Sequence, residues 1–176
     1  MSVAATRYAR ALMDVLYPEK ADAGLEQLQR FVSLLNDQPD ARRFLENPTI
    51  PGERRKALVK EVRAALGFDQ RVGNFIAILI DKNRLPLLDK IIDAYQKQLD
   101  DRLGIARAVV TAAHPLDPLQ QKELELKLEA LTGKQVRMEM AVDRSLIGGV
   151  VAQVGSTIYD GSVRTQLEAL RSRLME

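Results

Sequence analysis

"LGIARAVVTAA", Leu103 to Ala113, is where the chain changes character. Before it, apolar residues recur every three or four positions, the period of helices that bury one face. From Ile105 onward, β-branched and small residues crowd together, the composition of a closely packed strand. Gly104 stands between the two regimes as a helix stop. The break predicts two domains, residues 1–104 and 105–176, and an α+β fold class: an N-terminal six-helix bundle followed by a small C-terminal α/β domain. A chain of 176 residues has room for that division.

Working back from the break, a sixth helix runs from Arg84 to Leu103 with Leu85, Leu88, Ile92, Tyr95 and Leu99 as its stripe. The fifth spans about Asp69 to Lys82. A fourth opens with Pro51 at its first position and Glu53 close behind, turns Leu58, Val62 and Leu66 inward, and stops at Gly67. Ala41, Phe44 and Leu45 mark a short third helix before Asn47-Pro48. Leu25, Leu28, Val32 and Leu35 mark a second, and Ala5, Tyr8, Ala9, Leu12 and Leu16 a first that Pro18 closes.

Working forward, Asp117-Pro118 with Gln120 has the form of a helix start with a reciprocal cap, and Leu124, Leu128 and Leu131 give its inward face before Gly133. "QVRMEMAVD" alternates as a strand, Val136, Met138, Met140 and Val142 on one side. "GVVAQVGSTIYD" is read as one further strand with Val150, Ala152, Val154 and Ile158 in phase. A last helix carries Val163, Leu167, Leu170 and Leu174.

"GGVVAQVGST", beginning at Gly148, has the look of a phosphate cradle. A P-loop needs four residues between its glycines, then Lys and Ser or Thr, because the lysine neutralises phosphate charge. Here five residues separate Gly149 from Gly155, and Ser156 follows with no lysine between. The glycines are therefore assigned to backbone geometry: Gly148-Gly149 as a turn or bulge between strand segments, Gly155 as another bulge or close contact.

Composition points away from ligand chemistry. With no cysteine, disulfides and thiolate metal sites are excluded. A net charge of +2, with both signs interspersed, gives no strong pull toward nucleic acid or anionic lipid. Aromatics at 5% are thin for base-stacking platforms. The longest apolar run, Phe75 to Ile80, falls far short of the ~20 residues of a bilayer span. Met1-Ser2-Val3 leads into a helical pattern without a signal core, so the expected location is cytoplasmic.

Individual candidates are weak. His114 is the single histidine and lacks a partner at metal or nucleophile spacing. Asp100 and Asp101 point about 100° apart on a helix; Asp89 and Asp93 share a face, but one that also carries Lys90 and Lys97. Arg54, Arg55, Lys56, Lys60 and Arg63 on the fourth helix raise RNA binding as an alternative function, set against a solvated face with Glu53 and Glu61 interspersed. More telling are the first and fifth helices, which are apolar almost all round. Such a helix is either central in its bundle or pressed against a partner.

A set of spaced residues identifies a resemblance: Val142-Asp143, Ser145-Leu146-Ile147-Gly148-Gly149, Gly155, Asp160, Ser162 and Leu167, with "RYARAL" from Arg7 and "NFIAILIDKNRL" from Asn74. Along its whole length the chain resembles the delta subunit of F-type ATP synthase, the bacterial relative of the mitochondrial oligomycin-sensitivity-conferring protein. One departure is Arg144-Ser145, where many relatives carry a proline. The resemblance implies a non-catalytic stator subunit with no cofactor, no metal and no nucleic-acid partner. It implies partners too: the N-terminal segment of an alpha subunit, held between the first and fifth helices, and the b subunits of the peripheral stalk, gripped by the C-terminal part. It implies a peripheral position, without direct insertion, on the cytoplasmic side of the bacterial inner membrane. Tyr8, Ala9, Leu12, Val15, Phe75, Ile78 and Leu79 are expected to line the groove for the alpha segment, and Gly148, Gly149, Gly155 and Asp160 to form the structural motif.

Overall fold

Helix stops and strand starts fall close to where the residue pattern changes. In a computed structural model that describes residues 2–165 and 167, the helices are α1 (Val3–Leu16), α2 (Ala21–Asp37), α3 (Pro39–Glu46), α4 (Gly52–Leu66), α5 (Gln70–Asp81) and α6 (Leu88–Leu103), followed by β1 (Ile105–Ala112), α7 (Pro118–Thr132), β2 (Gln135–Val142), β3 (Val150–Val154) and β4 (Thr157–Asp160). Backbone at 163–165 and 167 is helical. Leu170 and Leu174 lie outside the described residues. Helix with a four-stranded sheet is the α+β class that the sequence predicts.

Small differences have local causes. Pro51 is the N-cap of α4, one residue outside it, and its extended backbone feeds the helix from there. The sixth helix does not begin at Arg84: Leu85–Leu87, with Pro86 inside, forms a 3-10 turn ahead of α6. The chain divides into two compact units between Leu99 and Asp100, within α6.

The first unit closes on Phe31, Met13, Leu16, Leu28, Ile76, Leu79, Ile91, Tyr95 and Leu99, all fully buried. Its polar insertions are hydrogen-bonded, although the buried Arg55 Nε itself has no partner among the described residues. The Tyr95 hydroxyl donates to the Ala21 carbonyl at 3.0 Å, and buried Arg55 donates to the Leu45 carbonyl at 3.3 Å and to Asn83 Oδ1 at 3.2 Å.

The second unit is a sheet of order β2-β1-β3-β4. β1 and β2 pair in parallel, as a crossover through α7 allows, while β1–β3 and β3–β4 are antiparallel. Ala106, Ala108 and Val110 of β1 face Leu128 of α7 together with Val136 and Ala152; the alanines leave room for the helix to approach. α7 starts as expected, with a capping box in which Asp117 accepts from the Gln120 N–H at 2.8 Å and Gln120 accepts from the Asp117 N–H at 3.0 Å.

"GVVAQVGSTIYD" is two strands, not one. Val154 pairs with Thr157, so Gly155-Ser156 is a two-residue hairpin turn, with positive φ confined to the glycine (+60°) as in a type II′ turn. Gly155 has open space around its Cα, so it is neither a bulge nor a close contact. The turn reverses the side-chain phase. Tyr159, opposite Ala152, joins the core, while Ile158 is 62% exposed. Leu131, expected inward, is also exposed.

Candidate docking surface

α5 begins at Asp69, whose carboxylate caps it by accepting from the Arg71 N–H at 2.9 Å. Lys20 Nζ sits 2.7 Å from the other carboxylate oxygen. The Lys20 hydrogen bond and then the Arg71 N–H hold the Asp69 pKa at about 2. From this anchored start α5 runs beside α1. The Arg71 guanidinium donates to the Val15 carbonyl at 2.9 Å. One turn along, the Tyr8 and Phe75 rings meet edge to face, centroids 6.4 Å apart and planes at 70°.

This pairing sorts the seven expected groove residues into two sets. Ala9, Leu12 and Leu79 are fully buried and Phe75 nearly so, all in the core of the first unit. Ala9, Leu12 and Leu79 therefore cannot line a groove as expected; they are the packing beneath it. Val15 is 53% exposed and Ile78 49%, and Tyr8 is half-buried between the two helices. Ala4 and Ala11, which are not among the seven, join Tyr8 and Val15 on one helical stripe with their small side chains reaching the surface. Their spacing from Tyr8, four back and three on, is the signal that finds them. The α1–α5 surface is thus a shallow apolar strip with low side walls.

The basic run on α4 is dispersed. Arg55 is buried inside the unit, and Lys56 is held by Asp81 at 3.0 Å. Three of the four candidate carboxylates are engaged as well: Asp89 with Arg42 at 2.9 Å, Asp100 with Arg107 through two hydrogen bonds at 2.6 and 3.1 Å, and Asp101 with Lys134 at 3.2 Å. His114 is exposed beyond β1. Among the described residues no group of His, Asp or Glu could hold a metal ion.

In the second unit the glycine motif is a tie between loops. Gly149 has φ +80°, and a Cβ there would run into the Gly161 carbonyl oxygen. The Val163 N–H donates to the Gly148 carbonyl at 3.0 Å and the Gly161 N–H to the Val150 carbonyl at 2.9 Å. Asp160 accepts from the Ser162 N–H at 2.8 Å and from Thr165 Oγ1 at 2.8 Å; buried Ser162 in turn accepts from the Thr165 N–H. Asp143 accepts from the Ser145 N–H at 2.9 Å. These hydrogen bonds hold both carboxylates below their ordinary pKa. Between the two ties Ile147 takes φ +60° and ψ −45°, a region that bulky L-residues avoid, and is 69% exposed. Sequence reasoning listed Ile147 within a motif and missed its geometry.

Residues 4–174 match the family described as ATP synthase delta (OSCP) subunit. The chain is 40% identical over 177 residues to ATP synthase subunit delta of Anaeromyxobacter dehalogenans (strain 2CP-1 / ATCC BAA-258), covering 100% of this chain and 99% of that protein. It is 40% identical over 175 residues to the protein of the same name from Myxococcus xanthus (strain DK1622), covering 98% and 96%. Among solved structures it is similar to a chain of the Toxoplasma gondii mitochondrial ATP synthase hexamer, determined by cryo-EM, with a TM-score of 0.68 and 26% identity over 100% of this chain and 99% of that one.

Proposed function

Because this chain belongs to the ATP synthase delta (OSCP) subunit family, and so is a structural, non-catalytic component of the peripheral stalk of an F-type ATP synthase, we propose that it joins head to stalk through two separate surfaces. The N-terminal six-helix bundle, residues 1–104, receives the amphipathic N-terminal segment of an alpha subunit along α1 and α5. The C-terminal domain, residues 105–176, grips the b subunits. Held this way on the cytoplasmic face of the bacterial membrane, it keeps the head from turning with the rotor, so that torque drives conformational change there.

The observation that carries the head-side reading is the exposure of Val15 and Ile78 beside half-buried Tyr8 on two adjoining helices. A helix laid on this strip removes apolar area from water on both partners, at roughly 25 cal/mol per Å², less the cost of ordering the segment. Small Ala4 and Ala11 let its backbone come close. Nothing favours RNA binding: of the α4 cations that would grip phosphates, Arg55 is buried and Lys56 is paired with Asp81. A peripheral position fits the absence, among the described residues, of any helix long and apolar enough to cross a membrane.

The test is calorimetric titration of the full chain with a synthetic peptide of the alpha-subunit N-terminus from the same source. Ile78→Asp and Val15→Asp should each weaken binding at least tenfold, about 1.4 kcal/mol or more, with melting unchanged because both side chains already meet water. Equal affinity in both folded variants would remove the strip from the docking site.

A further inference from the structure

We infer that the segment docked on α1 and α5 carries carboxylates at one end, and that this end lies over Arg7 and Arg84. The inference rests on the docking reading above and adds the polarity and chemistry of the occupant. Val3, Ala4, Arg7 and Tyr8 of α1 line a single cleft with Arg84, which follows α5. Tyr8 belongs both to this cleft and to the aromatic contact with Phe75 in the strip, so the two surfaces are continuous.

The two ends of the strip differ in charge. At the Val15 end the cations are answered: Lys20 and Arg71 share Asp69, at 2.7 and 3.4 Å. On the α4 side Lys56 is answered by Asp81. At the Tyr8 end, among the described residues, no ion pair or hydrogen bond engages the guanidinium of Arg7 or Arg84, and no acidic side chain lines the cleft they share. Two like charges lining one cleft repel each other, and a cleft lined by one sign concentrates its field. Guanidinium groups match carboxylates bidentately, so an acidic turn of the incoming helix satisfies both. The apolar side of that same helix lies over Ile78 and Tyr8 and continues down the strip toward Val15.

The experiment uses the full chain and two peptides: the alpha-subunit N-terminal segment, and the same segment with its carboxylates converted to amides. Arg7→Glu/Arg84→Glu should weaken the native peptide roughly tenfold at about 50 mM salt, with the difference closing toward about 0.5 M as screening sets in. The amide peptide should bind the wild-type chain more weakly and be indifferent to the charge reversal. Arg7→Gln/Arg84→Gln, which removes charge without reversing it, should fall between; circular dichroism and melting confirm that each variant is folded. If the native peptide binds, Ile78→Asp abolishes binding, and both arginine variants stay within twofold of wild type at low salt, the polarity inference is wrong and the strip stands. If the native peptide does not bind the wild-type chain, the docking reading and this inference fall together.

Discussion

Ile147 and Gly149 sit two residues apart and break the ordinary backbone rules in opposite ways. Gly149 uses a freedom that only glycine has, since its φ is +80° and the Gly161 carbonyl occupies the space of a Cβ. Gly149→Ala should therefore destabilise the second unit by roughly 2 kcal/mol or more, read as a lowered urea midpoint, while added ATP should leave melting of the wild-type chain unmoved. Ile147 holds its positive φ against its own preference. Ile147→Gly should be neutral or stabilising by up to about 1 kcal/mol, as relief of strain outweighs the extra freedom of the unfolded glycine. A clear loss of stability would show that the isoleucine side chain is held by contacts its exposure conceals. The Gly-Gly pair made the first geometry legible in sequence. The second was not, because no local preference places a β-branched residue there; hydrogen bonds on either side of it impose the turn. The groove residues show the same limit. A helical wheel reveals that α1 carries too much apolar surface, but only neighbouring helices decide that Ala9 and Leu12 go under and Val15 stays out.

Among elements, the helices of the first unit were readable because each carries its own stop signal and a stripe at one period. The hairpin of the second was not, since a lone glycine between two apolar runs reads equally as a bend within one strand. What sequence could not supply at all is the anchoring of α5. Asp69 recruits Lys20 from 49 residues away and caps its own helix with the same carboxylate. Its pKa falls from the ordinary 3.8 to about 2 on folding. A depressed carboxylate pKa means that the stabilisation is fully present above 3.8 and drains away as pH falls toward 2. Asp69→Asn keeps an acceptor for the Arg71 N–H but loses the charge, so its stability deficit relative to wild type should be largest near neutrality and vanish across that acidic window. Asp69→Ala loses the cap as well and should cost about 1–2 kcal/mol at neutral pH. Urea midpoints at several pH values check both; parallel pH profiles for wild type and Asp69→Asn would show that the charge does not matter.

At the scale of the whole molecule the two hydrophobic clusters share no residue: one is drawn from Ala5 to Leu99, the other from Ala106 to Ala152. Each can be weakened without opening the other. Leu28→Ala, which empties a fully buried site in the first, should cost about 2–5 kcal/mol and lower the melting of that unit alone. The division also fixes where the chain can be cut. α6 runs on to Leu103, past the boundary at Leu99, and its last turn serves the second unit through Asp100 with Arg107 and Asp101 with Lys134. A fragment of residues 1–104 keeps all of α6 and every member of the first cluster; Asp100, Asp101 and the Gly104 carbonyl lose their partners and then meet water. Such a fragment should melt cooperatively and give the dispersed tertiary signals of a fixed core. Protease treatment of the full chain should leave a resistant piece ending near that point. A fragment that keeps helical content but lacks fixed tertiary signals would mean that the first unit depends on residues beyond Gly104, and that the change of residue pattern there does not mark an independently folding domain.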